Sequence, residues 1–172
     1  PIDNVYAAAQ DDTGFIWFGT DFGIARYDGN RFTVYDKKYG MANKAVTDIV
    51  YAGGDSLIFC SYPSTIQSIR KDGQITTLVE NTGFALQQLI KHNKQYYCYK
   101  RDHSAFGLLE NGKYRICAND SVFNTKAVNI NNIISLDEKG IAFCTNKGLF
   151  IKNGNKQTVL LTNKNVQFAV FK

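Results

Sequence analysis

Residues 14–23 read Gly14-Phe15-Ile16-Trp17-Phe18-Gly19-Thr20-Asp21-Phe22-Gly23, and the reading of this stretch decides the fold. Phe15 to Phe18 is an apolar run of strand length that holds the chain's single tryptophan. Thr20-Asp21-Phe22-Gly23 closes it with turn-forming residues. A second run, "IARYDGNRF" over residues 24–32, follows at once and carries Asp28-Gly29-Asn30. Asp-Gly between two apolar runs is the strongest short-range hairpin signal, because the glycine supplies the positive φ a tight turn needs. The block is therefore either a hairpin that occurs once or the clearest copy of something repeated.

The rest of the chain favours repetition. Four segments align: residues 5–35 (VYAAAQDDTGFIWFGTDFGIARYDGNRFTVY), 46–78 (VTDIVYAGGDSLIFCSYPSTIQSIRKDGQITTL), 86–117 (LQQLIKHNKQYYCYKRDHSAFGLLENGKYRIC) and 130–161 (INNIISLDEKGIAFCTNKGLFIKNGNKQTVLL). Each opens with an alternating strand and a polar turn, then a dense apolar block ("FIWFGT", "LIFCS", "QYYCYK", "IAFCT"). A short polar turn, a third strand, a Gly-centred turn and a fourth strand complete it. Aligned on Trp17, Ile58, Tyr97 and Ala142, the copies are spaced by 41, 39 and 45 residues. Helical periodicity is nearly absent; residues 82–91 are the one ambiguous stretch, read as a loop entering a strand.

Units of this length with four strands each predict an all-β chain of β-propeller blades. The second strand of each unit is apolar on both faces, as a strand sandwiched between neighbouring sheets must be. The fourth ("RFTVY", "QITTL", "KYRIC", "KQTVL") alternates, as a half-solvated edge does. The spacing places blades at residues 5–36, 46–80, 86–118 and 130–162, with 165–172 as the first strand of a fifth, so that residues 1–172 form a single partial propeller belonging to a larger ring. Trp17 is expected to pack between blades.

Residues 5–36 resemble the two-component regulator propeller repeat, which builds the sensor region of Bacteroides-type hybrid two-component histidine kinases. The match rests on Asp12 (or Asp11), Gly14, Phe15, Ile16, Trp17, Phe18, Gly19, Thr20, Gly23, Ile24, Arg26, Tyr27, Asp28 and Gly29. The later copies depart from it: the Trp17 position becomes Ile58, Tyr97 and Ala142, and the Gly19 position becomes Cys60, Tyr99 and Cys144. The resemblance implies a periplasmic sensor region of an inner-membrane protein, with kinase activity in a separate domain and the remaining blades of the sensor as partners.

Of 172 residues, 44% are hydrophobic and only 20% charged, which excludes a disordered chain. The net charge of +5 is scattered, with no run longer than Lys37-Lys38 or Arg70-Lys71, which argues against a nucleic-acid surface. No apolar run approaches the length of a membrane-spanning helix. The cysteines at 60, 98, 117 and 144 lack CxxC spacing and a histidine cluster, so no metal is expected; they read as buried free thiols. No cofactor-binding or catalytic motif occurs, and the two histidines, His92 and His103, lack a partnered constellation. No catalytic residue is assigned. Asp28 and Asp72 read as turn residues.

A binding face follows from topology. Turns between the second and third strands share a face with the connections between blades, and recognition tends to live on such loops. The side chains expected there are Asp21, Phe22, Tyr62, Arg101, Asp102, His103 and Lys147. Arg101 offers a two-pronged donor to a carboxylate or sulfate, and Tyr62 a stacking surface for a sugar ring. The expected ligand is a small molecule or oligosaccharide, with a homodimer as a further possible partner. A propeller lyase and a protein-interaction scaffold are the rival readings.

Overall fold

The computed structural model describes residues 4–100, 105–118, 128–153, 156–162 and 164–167. These build four antiparallel sheets, each a meander of four consecutive strands. The first holds β1 (Val5–Gln10), β2 (Ile16–Thr20), β3 (Gly23–Tyr27) and β4 (Phe32–Tyr35). The second holds β5 (Val46–Gly53), β6 (Ser56–Ser61), β7 (Thr65–Arg70) and β8 (Ile75–Val79). The third holds β9 (Leu86–His92), β10 (Gln95–Lys100), β11 (Ala105–Glu110) and β12 (Lys113–Ala118). The fourth holds β13 (Ile130–Ser135), β14 (Ile141–Thr145), β15 (Gly148–Asn153) and β16 (Lys156–Thr162). They are β-propeller blades. The ambiguous stretch 82–91 is a loop running into β9. The fifth-blade strand was expected over 165–172; residues 165–167 are not in a strand, and 168–172 lie outside the described residues.

The chain divides into two compact units, residues 1–89 and 90–172. Burial follows strand position in both. All five residues of β14 are buried, and five of six in β6, whereas β8 and β16 are mostly exposed. Central strands lose water on both faces, and the outermost keeps it on one.

In the first unit Trp17 is wholly buried, in one core with Ile24 and Tyr35 of its own blade and Val46, Ile49, Leu57, Phe59 and Ile69 of the next. It stacks on Tyr35 at 5.7 Å between ring centres. Arg26 lies over Phe15, Trp17 and Tyr35 at 5.3, 5.4 and 5.8 Å, and donates to the Lys71 carbonyl at 2.8 Å. One guanidinium thus covers the aromatic cluster and fastens the β7–β8 turn to it.

The repeat's acidic position is Asp11, not Asp12. Its Oδ1 accepts from Thr13 N, Thr13 Oγ1 and Phe15 N, and its Oδ2 accepts from Trp17 Nε1 at 2.8 Å. Burial pushes the Asp11 carboxyl up, but these hydrogen bonds outweigh it and hold the group below the ordinary aspartate value. Asp12 points outward instead and pairs with Lys71.

Glycine at 19 has a local cause. A Cβ there would sit 2.8 Å from Val46 Cγ1 and 3.0 Å from the Val46 carbonyl oxygen. Beyond the repeat motif, β5 and β13 each carry a bulge that the sequence pattern does not reveal. Asp48 and Asn132 follow the extra residue, and each side-chain Oδ1 accepts the following residue's N–H at 2.8 Å. In the first unit Asp48 Oδ2 also accepts the Leu89 N–H at 2.6 Å, while burial raises its carboxyl to about 6.

Candidate functional site

The β2–β3 and β14–β15 turns owe their shape to a buried threonine. Thr20 Oγ1 donates to the Gly23 carbonyl at 2.9 Å and accepts the Phe22 N–H at 3.1 Å. Thr145 repeats this, donating to Gly148 O and accepting from Lys147 N and Gly148 N. Gly23 and Gly148 have φ of 126° and 149°, and a Cβ at either would run into the carbonyl of Tyr35 or Leu161 on the neighbouring strand. The two residues between are thereby projected outward.

Among the sequence-predicted site residues, Phe22 is 49% exposed on the β2–β3 turn and Tyr62 is 51% exposed on the equivalent β6–β7 turn, both in the first unit. Asp21 has its oxygens engaged by Asn4 Nδ2 and the Tyr6 hydroxyl, which hold its carboxyl below the usual range. It pins β1 to the turn. Lys147 is exposed on the β14–β15 turn of the second unit. Arg101, Asp102 and His103 lie outside the described residues.

The connections between blades in the first unit are built rather than loose. Gln67, fully buried, accepts from Ala42 N at 2.9 Å and donates from Nε2 to Gly40 O and Thr77 Oγ1, both at 3.0 Å. Asn43 donates to Thr65 Oγ1. A short 3-10 helix, Lys37–Tyr39, is capped by Asp36.

The second unit holds a cavity of about 670 Å³ between its two blades. Cross-strand register explains its walls, since residues directly opposite one another share a face. Tyr97, Leu108 and Arg115 are paired across β10, β11 and β12; Phe106 faces Cys117, and Gln95 faces Glu110. Ile141 pairs with Lys152 on the opposing blade, beside Phe143. Tyr97, Phe106 and Phe143 form a triangle of rings with centres 5.5–6.5 Å apart.

His92, Asn93 and Lys94 close the β9–β10 end. His92 Nδ1 lies 2.9 Å from Ser135 Oγ and its Nε2 3.2 Å from Asn93 Nδ2; burial pulls its pKa below the ordinary value. Glu110 accepts from Gln95 Nε2 at 2.7 Å, and the Tyr97 hydroxyl donates to Gln95 Oε1 at 2.6 Å. Arg115 Nη1 is 3.5 Å from Cys117 Sγ. Burial pushes the Cys117 thiol up against the opposing pull of Arg115 and Lys152, and it pulls the Lys152 ammonium down.

This cavity lies at the ends of the strands opposite Lys147, because Ile141–Lys152 and Thr145–Gly148 are the two ends of the β14–β15 hairpin. The residues expected from the sequence to bind ligand do not include those of this face, whose charged side chains at 110, 115 and 152 stand in strands β11, β12 and β15. Among the described residues no cluster of three or more His, Cys, Asp or Glu side chains could hold a metal ion.

No family model matches this chain, and neither does any curated protein. Its fold is found among solved structures. It is similar to the extracellular domain of the hybrid two-component system BT3049 from B. thetaiotaomicron, at 14% identity and a TM-score of 0.69, over 96% of this chain and 26% of that one. The extracellular domain of BT4673 from the same organism gives 12%, 0.69, 95% and 24%. PorZ of Porphyromonas gingivalis, a surface component of the type-IX secretion system, gives 16%, 0.69, 97% and 24%. The chain spans about a quarter of the length of each. What this likeness shows is the β-propeller fold, the one found in extracellular domains of Bacteroides two-component sensors.

Proposed function

We propose that this chain is a ligand-sensing segment of an extracytoplasmic propeller, the sensor region of a hybrid two-component histidine kinase. It takes up a carbohydrate signal in the periplasm and relays it to a kinase carried by a separate domain. The remaining blades of the sensor are its immediate partners, and a homodimer is a further one. The segment itself is not catalytic.

One observation carries the reading. The four blades follow the backbone of about a quarter of two extracellular sensor domains, and the first blade bears the repeat residues Asp11, Trp17, Gly19 and Arg26, each with a physical task described above. In support of a non-catalytic role, both nitrogens of His92 lie within hydrogen-bond distance of neutral side chains rather than a carboxylate. The ligand-contacting residues in this reading are Asp21, Phe22, Tyr62 and Lys147, on turns between second and third strands, with Arg101, Asp102 and His103, which lie outside the described residues. Exposed Phe22 and Tyr62 present flat apolar surfaces beside polar groups, a combination suited to sugar rings.

The test is calorimetric titration of the chain with neutral and acidic oligosaccharides, repeated with Tyr62→Ala, Phe22→Ala and Arg101→Ala. Binding lost in the variants supports the assignment. Binding unchanged in all three moves the ligand elsewhere, and no binding by any glycan refutes the carbohydrate reading.

A further inference from the structure

We propose that the cavity between the third and fourth blades is a binding site for a small organic anion, a carboxylate carried on a flat apolar ring. It goes beyond the sugar reading, uses none of the turn residues, and stands whether or not that reading does.

Three features point to this ligand. The volume of about 670 Å³ falls in the range of small-molecule sites rather than packing defects. The interior wall is Phe106, Leu108, Ile141 and Phe143, with the ring of Tyr97 beside them. A flat ring laid there would bury apolar area against this wall. The cations come from both walls: Arg115 on β12, with Nη1 3.5 Å from Cys117 Sγ, and Lys152 on β15 both line the cavity. Glu110, the one carboxylate among the described lining residues, is held by Gln95. Arg115 can give a carboxylate a two-pronged pair of hydrogen bonds and Lys152 a point charge from the opposite side. Burial already disfavours the charged form of Lys152, and an entering anion would restore it.

The experiment is ligand-observed NMR on the whole chain with benzoate, its neutral counterpart benzamide, glucuronate and inorganic phosphate, followed by calorimetry. Benzoate is expected to bind at least about tenfold more tightly than benzamide, since charge-assisted hydrogen bonds are at stake. Glucuronate and phosphate should bind more weakly than benzoate, lacking the apolar ring face. Lys152→Met and Arg115→Met should each weaken benzoate by about tenfold, while Lys156→Met, exposed on β16 and outside the cavity lining, leaves it unchanged. The benzoate–benzamide comparison uses the unaltered chain, so it decides the matter even if a variant fails to fold. No benzoate binding up to about 10 mM, equal affinity for benzamide, tighter glucuronate or phosphate, or unchanged binding in both methionine variants would each overturn the proposal.

Discussion

Trp17→Phe isolates one hydrogen bond in the best-formed blade. The phenyl ring keeps most of the stacking on Tyr35 and the contact beneath Arg26, so the larger loss is the donor to Asp11. Asp11 Oδ1 has three other donors, but among the described residues Oδ2 has only Trp17 Nε1, and the residue is 5% exposed. Leaving a buried carboxylate oxygen without its donor costs about 1.5–3 kcal/mol. Trp17→Ala adds lost transfer energy and a cavity, for about 3–5 kcal/mol in all.

The sign with pH is fixed. The Asp11 carboxyl is held low in the folded state, so its stabilisation is present above the ordinary aspartate range and lost as pH falls through the folded value. The gap between parent and Trp17→Phe should therefore narrow in acid. Urea unfolding followed by far-UV circular dichroism measures it without relying on the deleted fluorophore. A Trp17→Phe variant within about 0.5 kcal/mol of the parent at neutral pH, or a gap that persists unchanged below the titration, would refute the role given to this hydrogen bond.

Asp48 runs the opposite way. Its folded pKa of about 6 lies above the ordinary 3.8, so its contribution is fullest below about pH 4 and is lost as pH rises through 6, by as much as about 3 kcal/mol. The difference in urea midpoint between parent and Asp48→Asn should change across that window and flatten outside it; a constant difference would contradict the buried ionisation. Gly19→Ala should cost about 1–3 kcal/mol by driving a methyl into Val46, and a neutral effect in thermal melting would show that the neighbouring strand yields. The four cysteines are buried free thiols, with Cys98 pushed up to about 12, so native reaction with a thiol reagent should be slow and unfolding should reveal four thiols. Rapid native labelling, or fewer than four thiols without reductant, would count against this.

The architecture was legible because it is written in short-range chemistry. Asp28 does accept the Asn30 and Arg31 N–H groups, and Asp72 the Gln74 N–H, so the Asp-Gly signals marked real turns. The apolar blocks mark strands buried on both faces because a central blade strand meets neighbours on either side. The repeat register let Trp17, with its aromatic bulk and place in the block, be read as packing.

What the sequence left open needed positions far apart in the chain. Asp11 and Asp12 are adjacent acids of one type, and only the fold turns the first toward Trp17 and the second toward Lys71, across 59 residues. Asp48 looks like any strand aspartate until Leu89 arrives beside it. Arg115 and Lys152 carry no motif, since their meaning comes from two sheet faces enclosing one cavity. Strand period and turn chemistry act over a few residues and so determine the blades. Burial, charge proximity and cavities arise between blades, where no local pattern records which face a side chain will meet, and there tertiary structure alone decides.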